Sequence, residues 1–269
     1  TKLPGNRERV ISSADLQMVD RSLLNSRFTI DRDIGVQLRH KFKLSDNFLV
    51  KQIYAISQGE GRNVTRGNLG GHQYTARIEL FPFGDFSGKG DYKGSDLKFE
   101  ENPKLSLAFN YDLNNNASKT RSNQGSYMYI NGTTAGSSAA FYQTNISTLY
   151  IDAMYKHKGF SFMAEYADRT TDDAFYIAEG GDQKSVQVGN ALNLQSGYML
   201  SKTLEVSGRY TNIDWDKSIT GKGAENQYTL GVSKYIFGHK LKVQTDLSYL
   251  DLESKTNELM YRLQVDIHF

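Results

Sequence analysis

Basic side chains that could bind an anion recur at alternate positions of short segments whose other positions are apolar. These residues are Arg39, Lys41, Arg77, Lys156, Arg169, Arg209, Lys242 and Arg262. Acidic residues take equivalent polar positions in nearly equal number: Glu79, Asp112, Asp152, Glu165, Glu205, Asp246 and Asp266. Rings of arginine or lysine favour anions in a pore, whereas a balanced mixture of charges can pair and simply keep a wall hydrated. The sequence alone leaves both interpretations open.

Residues 1–32 carry a second group of charges. Its basic members are Arg7, Arg9, Arg21, Arg27 and Arg32, and its acidic members are Glu8, Asp15, Asp20 and Asp31. The planar guanidinium fork holds phosphate or carboxylate through two parallel hydrogen bonds. We therefore predict that Arg21 and Arg27 line a constriction, and that Arg32 also lines the pore. The alternative is a surface loop whose charges form local ion pairs.

No residue pattern indicates catalysis, a metal site or a cofactor. The five histidines are scattered without the spacing of a metal motif, and the absence of cysteine excludes thiolate ligands and disulfides. Asp214 and Asp216, which flank Trp215 at a loop mouth, could form a pair of carboxylates. A net charge of +2 gives no reason to expect a nucleic-acid partner.

The charged residues lie in segments that alternate apolar and polar residues, which is the period of a β-strand. The segments are 33–42, 47–57, 73–81, 105–113, 149–156, 160–167, 192–200, 204–211, 228–236, 241–249 and 259–269. In the last of them Leu259, Tyr261 and Leu263 alternate with Met260 and Arg262. No apolar run approaches the roughly 18 residues of a membrane helix. The sequence therefore predicts an all-β chain of about eleven strands, each with one apolar and one polar face.

The connections between these segments favour a barrel in the bacterial outer membrane. Short turns at 155–159, 200–202 and 237–239 alternate with long polar stretches at 114–146, 169–187 and 213–226. Outer-membrane barrels sort their connections in this way, with short turns on the periplasmic side. Outward aromatic residues near both ends of the strands predict interfacial belts; they are Tyr111, Tyr155, Tyr198 and Tyr210. We predict an antiparallel transmembrane β-barrel surrounded by lipid, as one domain over 1–269. The stretch 82–103 does not fit, because it is long on the short-turn side.

An odd number of strands cannot close a single-chain bacterial barrel, so we expect N-terminal strands to be missing from this chain. Several motifs resemble the phosphate-selective porin O and P family. They are Ser12-Ser13, Val19-Asp20-Arg21-Ser22, Arg32-Asp33-Ile34-Gly35-Val36-Gln37-Leu38, Phe81-Pro82-Phe83-Gly84, Ser196-Gly197-Tyr198, Tyr228-Thr229-Leu230-Gly231-Val232 and Gly238-His239-Lys240-Leu241-Lys242. The resemblance implies a sixteen-stranded barrel, a homotrimer and transport of anions. It also implies about five strands before Thr1, and places 1–32 near a loop that folds into the pore.

The sequence thus predicts a porin, through which small hydrophilic solutes diffuse passively. The expected solutes are neutral molecules or anions such as phosphate. Two alternatives stay open: a plugged barrel that scaffolds other outer-membrane proteins, and an outer-membrane hydrolase.

Overall fold

The computed structural model describes residues 1–64, 70–131 and 140–268, and its main element is an antiparallel sheet of eleven strands. The strands are β1 (Gly35–Ser45), β2 (Phe48–Ser57), β3 (Gln73–Phe81), β4 (Lys104–Ala117), β5 (Thr144–His157), β6 (Phe160–Thr171), β7 (Gly189–Ser201), β8 (Leu204–Trp215), β9 (Glu225–Tyr235), β10 (Leu241–Leu252) and β11 (Glu258–Ile267). Each strand pairs with the next one along the chain. This up-and-down order is that of transmembrane barrels, so the predicted fold class is confirmed.

The strands lie where the alternation predicts them, and several extend further. The segment 105–113 belongs to a strand that continues to Ala117, because the polar residues after Leu113 go on pairing with β5. The register of 47–57 is ambiguous in the sequence, and the structure settles it with Ile53 buried opposite Arg39. Phe269, which the alternation assigns to the last strand, lies outside the described residues.

The two faces of the sheet differ in chemistry. The outer face exposes large apolar side chains, for example Leu230 at 73% and Phe109 at 50% of their maximum. The inner face buries charged ones, among them Arg77, Lys156 and Lys242. A water-soluble sheet would bury its apolar face against a core, whereas a strand in a bilayer exposes that face to lipid. No helix in the described part of the chain is long and apolar enough to span a membrane.

Residues 1–34, which we name the inner segment, lie against the inner face of the sheet. The segment contains α1 (Arg7–Val10), a 3₁₀ turn (Ser13–Asp15) and α2 (Leu23–Phe28). The Ser22 hydroxyl accepts a hydrogen bond from the Asn25 backbone N–H and so caps α2. Leu24 and Phe28 of α2 pack in an apolar cluster with Tyr150 and Trp215 of the sheet. The apolar side of α2 therefore packs against the inner face of the sheet.

Residues 82–103, which we name the basal segment, also fold onto the inner face, at the short-turn end. The segment contains a 3₁₀ stretch (Ser87–Tyr92), and its Phe86 packs edge-on against Phe81 with ring centroids 6.2 Å apart. Ile11 and Leu16 of the inner segment belong to the same apolar cluster. This packing explains the long connection that does not fit the predicted loop pattern, because the segment packs against the inner face of the sheet at the base of the lumen.

The long connections at the opposite end form small structures of their own. Lys119–Arg121 pairs with Gln124–Tyr127, Tyr129–Asn131 with Ala140–Phe141, and Phe175–Ile177 with Gln183–Ser185. A short helix, α3 (Lys217–Thr220), follows β8. These loops enclose a further apolar cluster that includes Met128, Ile146 and Val186. By the loop-length rule this end is extracellular.

Candidate functional site

Two arginines and two carboxylates form a buried network between the inner segment and the wall. Arg77 of β3 contacts Glu79 at 2.8 Å and Asp152 of β5 at 2.7 Å. Arg7 of α1 contacts the same Asp152 at 2.9 Å and Glu79 at 3.4 Å, and its Nη2 donates to Ser106 Oγ at 2.8 Å. Alternation places Glu79 and Arg77 on one face of β3. The network is neutral in sum and fixes α1 to the wall.

The other buried basic residues of the wall bind backbone carbonyl groups. Lys156 Nζ donates to the carbonyl oxygens of three basal-segment residues at 2.7–3.0 Å. Lys242 Nζ donates to Leu16 O at 2.8 Å, and Arg209 Nη1 donates to Asp20 O at 2.8 Å. Arg169 Nη2 donates to Phe28 O at 2.7 Å. These side chains point inward as the alternation predicts, but they lie beneath the two segments and anchor them. Their role as pore lining stays a prediction.

Three further basic residues of the wall are more accessible. Arg39 Nε donates to Gln37 Oε1 at 3.1 Å, and Lys41 Nζ contacts Asp85 at 2.7 Å, both exposed. Arg262 of β11 lies 3.1 Å from Asp20 Oδ2. These residues are the part of the predicted wall that reaches solvent.

A basic patch lies on the partly exposed side of the inner segment. It consists of Lys2, Arg9, Arg21 and Arg32 around Asp31, with Glu8 and Asp20 also acting on Arg21. Arg9 forms an ion pair with Asp31, and Arg32 Nη1 lies 3.9 Å from Asp31 Oδ1. Burial opposes ionisation of Asp31, but the Arg9 hydrogen bond and charge keep its pKa below the ordinary value. Asp31 therefore offsets only part of the positive charge of the patch.

The charged side chains of the basic patch shift one another's pKa values. Burial lowers the pKa of Lys2 to about 8, and the charges of the three neighbouring arginines add to this effect. Burial likewise lowers the pKa of Arg21, whose Nη2 donates to Ile11 O at 2.8 Å. Like charges held together in this way favour a counter-anion. Lys2 lies in an irregular stretch with no periodic signal, so no local pattern marks it as a functional residue.

The structure separates Arg21 from Arg27, the two residues predicted to share a constriction. Arg27, at the end of α2, contacts Glu225 of β9 at 2.9 Å. The same Glu225 accepts a hydrogen bond from Trp215 Nε1 at 2.8 Å. Arg21 instead contacts backbone carbonyls of the inner segment near α1. A common constriction formed by both stays a prediction.

The two carboxylates that flank Trp215 lie in different settings. Asp216 accepts hydrogen bonds from Ser218 N and Ile219 N and caps α3. Asp214, two residues earlier, is exposed on β8 opposite Asn190. Within 1–64, 70–131 and 140–268, no three His, Cys, Asp or Glu residues lie close enough together to hold a metal ion.

The sheet and its two faces define the chain as an outer-membrane β-barrel protein. No family model and no curated protein matches the sequence. Among solved structures, OprB of Pseudomonas putida aligns with a TM-score of 0.53 and 13% identity, over 85% of this chain and 57% of that chain. A loop-deletion mutant of OmpT, an outer membrane protein of Vibrio cholerae, aligns with a TM-score of 0.45 and 13% identity, over 84% of this chain and 60% of that chain. An outer membrane channel from Pseudomonas putida F1 aligns with a TM-score of 0.39 and 13% identity, over 85% of this chain and 79% of that chain.

The likeness to OprB shows a shared barrel fold. This fold and the apolar outer face place the chain in the bacterial outer membrane. The chain spans less than two thirds of the OprB and OmpT chains.

Proposed function

We propose that the chain forms part of a porin, through which small hydrophilic solutes cross the outer membrane by passive diffusion. The observation that carries this proposal is the inner segment, which has two different sides. One side is fixed to the wall by Arg7 and α2, and the other side presents the basic patch. A segment held in this way narrows a lumen and gives the remaining opening a charge.

We further propose that the channel prefers anions, with phosphate among its solutes. The buried charges of the wall largely cancel, as in the network of Arg7 and Arg77 with two carboxylates. The accessible charges cancel less completely, because Lys2, Arg9, Arg21 and Arg32 outnumber the neighbouring carboxylates Asp31, Glu8 and Asp20, and Arg39 on β1 has only an amide partner. Local excess charge of one sign sets the preference of a pore.

The complete pore needs more wall than the described sheet provides. Within the described residues, the outer edges of β1 and β11 carry no neighbouring strand. Unpaired strand edges are not tolerated in lipid, because each backbone group without a partner costs several kcal/mol, of order 2–7. We propose that further strands close a sixteen-stranded barrel, and that three such barrels associate.

A plugged scaffold barrel is the second candidate. The observation that favours it is the basal segment, which Lys156 holds across the short-turn end of the lumen by three hydrogen bonds. Conductance separates the two candidates, since a plugged barrel passes no current.

The test is ion selectivity in planar bilayers, from the reversal potential in a KCl gradient. We expect the protein to conduct and to prefer chloride. The double substitution Arg21→Ala with Arg32→Ala should lower the anion-over-cation permeability ratio by about half or more, because it removes two of four patch cations. Arg21→Lys with Arg32→Lys should retain the preference.

Lys202→Ala is the matched control, because Lys202 is an exposed cation in the turn between β7 and β8. Equal ratios for the double alanine variant and the unaltered protein would contradict the role of the patch. A complete lack of conductance would favour the scaffold.

A further inference from the structure

Two adjoining cavities form a continuous groove among the extracellular loops. The first, of about 540 Å³, lies beside Arg27 at the mouth of the lumen, and we name it the mouth cavity. The second, of about 610 Å³, lies between the loop hairpins, and we name it the loop cavity. Ser126, Gln187 and Gly221 line both. Each volume lies in the roughly 300–1,000 Å³ range of small-molecule sites.

The mouth cavity has an excess of positive charge. Its basic lining residues are Arg27, Arg121, Lys222 and Lys255, against two acidic ones, Glu225 and Glu258. Arg27 is paired with Glu225, whereas the other three form no ion pair with any described residue. Burial and the charges of the other three cations lower the pKa of Lys222, while Glu225 offsets part of this effect. The four cations therefore act on one another across the cavity, and an anionic group would relieve their repulsion.

The loop cavity is lined by aromatic rings, neutral polar groups and two lysines, Lys184 and Lys217. Phe175 of the Phe175–Ile177 hairpin is 41% exposed, and the adjacent Tyr176 stacks on Tyr142 with centroids 5.4 Å apart. Tyr127 lines the same cavity, and its ring lies 5.4 Å from that of Phe141. The neutral polar lining includes Gln183, Ser185 and Gln187. Ring faces pack against apolar C–H surfaces, and amides and hydroxyls bind ligand hydroxyls.

We propose that this groove binds an anionic saccharide, with sugar rings in the loop cavity and a carboxylate or sulfate in the mouth cavity. A saccharide ring has an apolar C–H face and a rim of hydroxyls, which matches the aromatic and amide lining. The negative group matches the unpaired cations next to it. The inference rests on the proposed function in one respect, because it names a solute captured at the entrance of the proposed channel.

The experiment is calorimetric titration of the full-length protein in detergent with trigalacturonate, a sulfated chondroitin disaccharide, neutral maltotriose and sodium phosphate. We expect at least one acidic saccharide to bind about tenfold or more tightly than maltotriose and phosphate. Lys222→Gln with Lys255→Gln should weaken acidic-saccharide binding about tenfold, and Phe175→Ala should weaken binding of both saccharide types. Lys202→Gln and Phe237→Ala, both in exposed short turns, are the matched controls and should bind normally.

Three results would overturn the proposal: no binding of either acidic saccharide, equal binding of maltotriose, or equal binding of phosphate. Competition by purified lipopolysaccharide would identify the acidic saccharide as a glycolipid headgroup, and lack of competition would identify a free solute; both support the binding chemistry. Circular dichroism confirms that the variants fold. Because binding is measured without a membrane potential, its failure is distinct from failure of the protein to conduct.

Discussion

At the scale of single residues, the inward charges divide into two groups by their partners. Arg77 is fully buried and touches two carboxylates, whereas Arg32 is half exposed and lies 3.9 Å from its nearest carboxylate oxygen. A buried charge needs a partner because desolvation disfavours it, while an exposed charge remains hydrated. Buried, paired charges such as Arg77 therefore stabilise the fold, whereas exposed charges such as Arg32 remain free to interact with solutes.

Removal of one partner from the buried network should destabilise the protein strongly. Arg77→Met leaves Glu79 and Asp152 with one cation between them, and breaking a buried pair in this way costs about 3–5 kcal/mol. The measurement is urea unfolding in detergent, followed by circular dichroism. Lys217→Met, which breaks the exposed pair with Glu253, is the matched control and should leave the unfolding midpoint unchanged. A similar midpoint for both variants would contradict the structural role of Arg77.

The basic patch should make selectivity depend on pH. The lowered pKa of Lys2, about 8, means that this side chain loses its charge as pH rises from 7 to 9. The anion-over-cation permeability ratio should fall over that pH range, and this fall should be absent from the Lys2→Gln variant. Between about pH 8 and the ordinary pKa of lysine, Lys2 binds more protons in the unfolded chain than in the folded one. The free energy of unfolding should therefore rise with pH over that range. Reversal potentials at pH 7, 8 and 9 are the check, and a flat profile in the unaltered protein would oppose this assignment.

At the scale of elements, the basal segment depends on one side chain of the wall. Lys156 is fully buried and donates to Gly90 O, Lys93 O and Ser95 O. In the same region, burial lowers the pKa of His239, in the turn after β9, to about 3, and nearby lysines add to the effect. The imidazole is thus neutral at physiological pH and avoids adding charge to the base of the lumen.

Loss of the Lys156 anchor should release the basal segment. Lys156→Met leaves three buried carbonyls without their donor, at a cost of about 1–3 kcal/mol for each carbonyl that stays unsatisfied. We expect faster limited proteolysis between residues 84 and 98 and a larger single-channel conductance. Lys104→Met is the matched control, because Lys104 donates to Phe83 O of the same segment from an exposed position. Equal proteolysis rates for the two variants would show that Lys156 does not hold the segment.

At the scale of the whole molecule, the sheet curves its charged face around two internal segments and turns its apolar face outward. The closing wall beyond β1 and β11 decides how wide an opening remains beside the inner segment. Lys41 and Arg262 lie on those two edge strands. The conductance test therefore reports on the whole barrel, while the binding test concerns only the loops.

Strand identity and the two faces could be predicted from the sequence because both depend on local periodicity. Leu105, Leu107 and Phe109 alternate with polar or small neighbours, and a period of two specifies a strand with distinct faces without reference to the rest of the chain. The inward direction of Arg77, Lys156, Arg209 and Lys242 follows from the same rule.

Tertiary structure alone decided which inward charges are paired and which are free. Arg7 meets Asp152 across 145 positions of sequence, and Gln17 meets Glu205 across 188. No local pattern encodes such contacts, since they arise when the irregular inner segment folds back on the sheet. The basic patch and the loop groove have the same origin, because each combines residues from segments without periodicity. The sequence by itself therefore determined a wall with a lipid side and a charged side, and the fold of the segments inside it determined where the unpaired charge remains.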